Sequence, residues 1–205
     1  MARRTKEEAQ QTRQQLLDMA LLQYSLHGIN NVSLKTIAAE VGVTHGALYW
    51  HFKSRDDLIL ALCESLTLPF EHYYLEQLQA IDQNAVKALK AFLIEVTCRI
   101  ATHEPAMQVY SLFYNRRKEL PQQAALHECL ADEWQVWTDY INRFLKQARK
   151  QKSISKKTKG QPIAEMLLCQ VFGVLVVAEY MLEPVALRDL ASTSISNAIR
   201  GLEAS

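Results

Sequence analysis

The sequence predicts an all-α fold, and three observations carry that prediction. Apolar residues recur at three- and four-residue spacing over long stretches. Most glycines and prolines fall between those stretches, and no run alternates apolar with polar as a half-buried strand would. The chain has 205 residues, 49% of them apolar, enough for one large core or for a small domain beside a larger one. We expect a three-helix N-terminal domain over residues 1–53 and a larger helical domain over 54–205. The first helix should run from Lys6 to His27 and stop at Gly28, with Leu16, Ala20 and Tyr24 on its inner stripe.

Ser33 to Arg55, reading SLKTIAAEVGVTHGALYWHFKSR, has the spacing of two short helices joined by a tight turn. Leu34, Ile37, Ala38 and Val41 give the first helix a face to bury. Gly42 sits where a chain leaving a helix sharply wants φ > 0. Val43 plugs the corner, and Thr44 offers a hydroxyl to cap the second helix. Ala38 is small enough for two crossing helices to approach closely. The second helix, His45 to His51, has one strongly apolar anchor, Leu48. Its other residues, His45, Gly46, Ala47, Tyr49, Trp50 and His51, are short or planar. Such groups can press into a groove, bond phosphate oxygens and touch thymine methyls. Gly46 costs a helix about 1 kcal/mol relative to Ala, which makes sense where the backbone must approach another surface. Tyr49 and Trp50 have a second reading, as rings packed against a neighbouring helix.

The run from Arg13 to Leu62, with GVTHGALYWHFKSRDDL at its centre, resembles the DNA-binding domain of TetR-family transcriptional regulators. The opening MARRTKEEAQQTRQQLLDMA, with the YWHFK segment, is most similar to the Acr-type repressors of multidrug-efflux genes. The resemblance covers about the first third of the chain. It implies that His45, Gly46, Ala47 and Tyr49 lie in the major groove; Trp50 joins the DNA-binding residues from its place on the helix surface alone. Ser33, Lys35, Thr44, His51 and Lys53 would reach phosphates or flanking bases. His45 departs from the arginine usual in efflux repressors; histidine has a shorter reach and a pH-dependent charge, so the operator sequence should differ. The resemblance also implies a homodimeric repressor with a palindromic double-stranded DNA operator and a hydrophobic small-molecule inducer.

Net charge is only +1, so contact with nucleic acid must rely on a local basic surface. Arg3, Arg4, Lys6, Arg13, Lys35, Lys53 and Arg55 could supply it, the first three also reading as a solvated tail. Asp56 and Asp57 read as first-turn charges on a helix capped by Ser54, in an S-x-x-D arrangement. Cys63, Cys98, Cys129 and Cys169 are scattered singly, which suits reduced thiols in a cytosolic protein. The basic N-terminus is followed by no apolar run and is not a signal peptide. Ile163 to Leu182 has the length of a membrane span but carries Glu165, Gln170 and Glu179, so a helix buried on two sides explains it better. No phosphate loop, metal-spaced His or Cys set, or nucleophile-His-acid pattern appears, and adjacent His127, Glu128 and Cys129 diverge around a helix. No enzyme, cofactor or metal site is expected.

Further along, a fourth helix should begin after Ser54 and be kinked or interrupted at Pro69. A helix is expected over Ala85 to Thr102, and Pro105 and Pro121 each suit a helical first turn. Leu126, Leu130, Trp134, Trp137, Ile141 and Leu145 form the next stripe. Lys150 to Gly160 breaks periodicity and reads as a mobile basic loop. Pro162 to Leu182 and Leu187 to Leu202 close the chain. Gly173 would let a partner backbone approach, so these two helices and their symmetry mates would form a four-helix dimer bundle.

Phe70, Tyr74, Phe92, Met107, Tyr110, Phe113, Trp134, Trp137 and Phe172 concentrate bulky groups in the middle of the chain. They read either as core or as the walls of a pocket for a flat hydrophobic inducer. Ligand there would displace the fourth helix and change the separation of the two recognition helices, with Pro69 as the place to bend. The alternatives are a TetR-like regulator or scaffold answering to a protein partner, and an activator.

Overall fold

The computed structural model describes residues 6–65, 68–156, 159–179 and 184–202, and among these no β-strand occurs. The first helix, α1, spans Lys6–His27 as expected, with Leu16, Ala20 and Tyr24 fully buried. It ends at Gly28, whose φ of +84° demands glycine on conformational grounds. Space demands it as well: a Cβ there would lie 2.7 Å from Glu119 Oε2. That carboxylate accepts a hydrogen bond from the Ile29 N–H at 3.0 Å and pairs with Arg116 at 3.1 Å.

After a 3-10 turn over Ile29–Asn31 come α2, Leu34–Val41, and α3, His45–His51. The fourth helix, α4, spans Arg55–Ser65, and α5, Phe70–Leu78, starts directly after Pro69. The expected interruption is therefore real, with residues 66–67 outside the described set. Asn84 caps α6, Ala85–Thr102, by accepting from the Lys87 N–H at 2.9 Å. Pro105 lies in the first turn of α7, Glu104–Tyr110, which runs on into a π-helical stretch, Ser111–Asn115, and a 3-10 turn, Arg117–Glu119. Pro121 departs from expectation: α8, Ala124–Lys150, starts only three residues later, so that proline precedes the helix. The last two are α9, Gly160–Ala178, and α10, Pro184–Arg200; α10 begins earlier than Leu187 because proline fits a first turn.

The segment after α8 is not the free loop its composition predicts. Gln151 reaches back to accept from the Ala85 N–H at 2.9 Å and donates to the carbonyls of Ile81 and Asp82, both at 3.0 Å. Lys152 takes the left-handed conformation, φ 59°, and Ile154 is buried. Three hydrogen bonds from one side chain outweigh a lysine- and serine-rich composition.

Two compact units are distinguishable by their internal contacts. The first comprises Met1–Thr67 with Gln108–Leu130, and within it α1 packs on α2 and α4, and α2 on α3. The second comprises Leu68–Met107 with Ala131–Ser205, where α6 packs on α5, α9 and α10. Gly160–Ala178 is long and apolar enough to cross a membrane, at mean hydropathy 1.7, a test that core helices of soluble proteins also pass. Leu167, Leu168, Val171 and Leu175 on this helix are fully buried in the second unit, whereas Cys169, Gly173, Val176 and Val177 are exposed.

Candidate nucleic-acid interface

Each corner of the helix-turn-helix is fixed by a local device. Ser33 accepts from the Thr36 N–H at 3.1 Å and caps α2. Gly42 closes α2 at φ 75°, and the Val43 N–H reaches back to the Ala38 carbonyl at 2.9 Å. Nothing lies within 4 Å of a Cβ placed on Gly42, so the backbone conformation, not crowding, requires glycine there. Thr44 caps α3 through the Ala47 N–H at 3.1 Å. As a cap acceptor, the Thr44 hydroxyl still carries a proton that can be donated, whereas the Ser33 hydroxyl also shares a hydrogen bond with the Thr36 hydroxyl at 2.8 Å.

One side chain, Leu48, anchors α3, at 0% exposure. Around it His45, Gly46, Tyr49 and Trp50 are exposed, Ala47 and His51 half-buried. Trp50 is 73% exposed and Tyr49 46%, which excludes burial of either ring against a neighbouring helix. The planar groups order one another instead. His45 meets Tyr49 edge-on at 4.8 Å, and Trp50 meets His51 edge-on at 4.6 Å. Ser33, Lys35 and Lys53 are also exposed. Phe52, buried behind the helix, closes it by donating its N–H to the Leu48 carbonyl at 2.9 Å.

Two of the basic residues grouped with this surface have structural duties. Arg13 places its guanidinium 5.2 Å from the Phe52 ring centre, a cation–π contact. Arg55 donates to the Val32 carbonyl at 3.3 Å. Burial pushes the nearby Tyr24 hydroxyl up to about 12, the Arg55 charge offsetting part of that rise. The cap of α4 also differs from the expected box. Ser54 accepts from the Asp57 N–H at 3.1 Å, but Asp57 reaches one residue further back, to the Lys53 N–H at 2.7 Å. Arg3 and Arg4 lie outside the described residues.

Of the nine residues grouped as pocket walls, six are linked ring to ring in the second unit. Phe70 stacks on Trp137 at 4.4 Å and meets Phe92 at 6.1 Å, which meets Tyr74 at 6.3 Å. Phe172 joins Trp137 at 6.1 Å and Trp134 at 5.7 Å. Tyr140 and Phe144 extend the cluster; Tyr140 stacks on Tyr74 at 4.0 Å, and burial with the nearby Glu71 charge raises its hydroxyl. Met107 ends the first segment of this unit, while Tyr110 and Phe113 are buried in the first unit.

Residues 16–62 match the family described as bacterial regulatory proteins, tetR family. Over 128 residues the chain is 34% identical to the HTH-type transcriptional regulator AcrR of Shigella flexneri. The chain belongs to the TetR family. The alignment with AcrR covers 62% of this chain and 60% of that protein, so the chain spans less than two thirds of this relative's length. Two solved TetR-type structures share the fold across nearly the whole chain. NalD, the secondary repressor of the MexAB-OprM multidrug efflux pump in Pseudomonas aeruginosa, superposes with a TM-score of 0.73 at 19% identity, covering 97% of this chain and 98% of NalD. SmeT from Stenotrophomonas maltophilia, in complex with triclosan, gives 0.69 at 23% identity, covering 95% and 93%.

Proposed function

We propose that this TetR-family chain is a transcriptional repressor that binds a palindromic operator as a dimer and is released by a hydrophobic small molecule. The carrying observation is α3: a short helix capped at its start, anchored by Leu48 alone, that leaves Tyr49 and Trp50 in solvent. Residues 1–53 carry the DNA-binding role in this reading. His45, Gly46, Ala47, Tyr49 and Trp50 meet base edges and sugars, while Ser33, Lys35, Thr44, His51 and Lys53 hold phosphates. Residues 54–205 carry ligand binding and dimerisation.

Two observations support the finer parts. SmeT is solved in complex with triclosan, a hydrophobic aromatic ligand, and the six-ring cluster on Phe70, Tyr74, Phe92, Trp134, Trp137 and Phe172 is of matching chemistry. The exposed apolar residues of α9, with open space above Gly173, suit a twofold interface formed with α10. A dimer sets two recognition helices against half-sites about 34–36 Å apart, and ligand would change that spacing through α4. A regulator of this type works in the cytoplasm, and efflux-type genes are the proposed targets.

The test is fluorescence anisotropy of the purified dimer on the intergenic DNA beside its own gene, with and without a panel of hydrophobic drugs, dyes and bile salts. The reading expects tight, sequence-dependent binding, weakened about 5–150-fold by a panel member. Binding indifferent to every compound would favour a regulator controlled by a protein partner. Tyr49→Ala should weaken specific binding far more than non-specific binding. Lys35→Ala should weaken both and lower the salt slope by about one unit.

A further inference from the structure

Cys63 and Cys129 are 66 residues apart in sequence, yet their sulfurs meet at 2.9 Å inside the first unit. Cys63 lies near the end of α4, two residues before Ser65, and is buried. Cys129 lies in the second turn of α8 and is half-buried. A disulfide holds its sulfurs at about 2.05 Å, so bond formation asks for a closure of about 0.9 Å. The other thiols serve as internal controls: Cys169 is exposed on α9, and Cys98, in α6, has its thiol pushed up by burial and belongs to the second unit.

From this juxtaposition we infer that Cys63 and Cys129 form a reversible, peroxide-driven disulfide that ties α4 to α8. The half-buried Cys129 is the thiol a small peroxide reaches first. Its thiolate attacks one peroxide oxygen, the O–O bond breaks, and the leaving oxygen departs with a proton as water or an alcohol. The resulting sulfenic acid on Cys129 is then attacked by the Cys63 thiolate. The S–S bond forms as the S–O bond breaks, and hydroxide leaves with a proton as water. Two thiols are oxidised by two electrons and one peroxide is reduced. A dithiol reverses the bond by exchange.

The tie would act on a helix that already organises the DNA-binding surface. At its start, α4 holds Arg55 against the Val32 carbonyl and Asp57 against the Lys53 N–H, immediately after α3. Fixing the far end of α4 restrains the helix through which ligand release is proposed to pass. This consequence, though not the bond itself, rests on the proposed DNA-binding function.

The experiment treats the full-length protein with hydrogen peroxide, maps its peptides without reduction, and measures anisotropy on the same intergenic DNA. A cross-link between the Cys63 and Cys129 peptides is expected, retained in the Cys98→Ser/Cys169→Ser variant and removed by dithiothreitol. Operator affinity should change by at least about fivefold on oxidation, and not in Cys63→Ser or Cys129→Ser. Absence of that cross-link, or linkage mainly through Cys98 or Cys169, overturns the inference. A cross-link that leaves operator affinity unchanged overturns the switch. Failure of the reduced protein to bind any DNA specifically would instead count against the proposed function, because the peptide map reads the thiols independently.

Discussion

The helix-turn-helix and the aromatic cluster of the second unit both concentrate planar side chains, but they hold them in opposite ways. On α3, Tyr49 and Trp50 stand in solvent on a helix whose one buried side chain is Leu48. In the cluster, Phe70 and Phe92 are completely buried and Trp137 nearly so, each ring touching the next. The first surface can be rewritten without disturbing the domain beneath it. The second cannot, because the groups proposed to meet a ligand are also the core. In the proposed function, the DNA target can be altered by exposed substitutions, whereas altering the ligand means repacking.

The sharpest way to break this contrast is Phe92→Ala. Removing a ring buried against Phe70, Tyr74 and Phe144 should cost about 3–5 kcal/mol, read as a lowered denaturant midpoint. A loss near zero would mean the cluster is a loose pocket rather than core. Next comes Tyr24. Its hydroxyl ordinarily titrates near 10 and is raised to about 12 in the folded chain. Its contribution is therefore complete below pH 10 and is lost as pH climbs through 12, by about 2–3 kcal/mol. Urea unfolding from pH 8 to 12 should show this fall, and Tyr24→Phe should abolish its share.

Gly46→Ala should have the opposite sign. The nearest atom to a Cβ there is Thr44 Oγ1 at 4.0 Å, so the methyl enters free space and the helix should gain about 0.5–1 kcal/mol. Weaker operator binding by the same variant would show that DNA, not the fold, requires glycine. The smallest effect belongs to Trp50→Ala, which should leave thermal unfolding within about 0.5 kcal/mol of the parent while lowering DNA affinity.

What could be read beforehand divides along the same line. The boundaries of α1 and α3, the left-handed Gly42 and the Thr44 cap were all legible, because each depends on residues within four positions of itself; the Ser33 cap was equally local but was not read. The contacts that span the chain were not. No local pattern announces that Gln151 ties down the end of α8, that Arg13 covers Phe52, or that Cys63 meets Cys129. The π-helical stretch at Ser111–Asn115 gave no signal either. The cluster was visible only as composition, since core and pocket draw on the same aromatic residues.

The clasp between the Ile29 N–H and Glu119 bears on how the chain is made. Ninety residues separate the two, and the first unit draws on both sides of that gap. At about 5–20 residues per second, a ribosome that has finished α4 needs several seconds more to deliver Glu119. During that time the nascent helix-turn-helix lacks this one latch. A fragment cut after α4 would lack that bond and the rest of Gln108–Leu130, so the first unit is complete only once a segment well beyond the helix-turn-helix has been made.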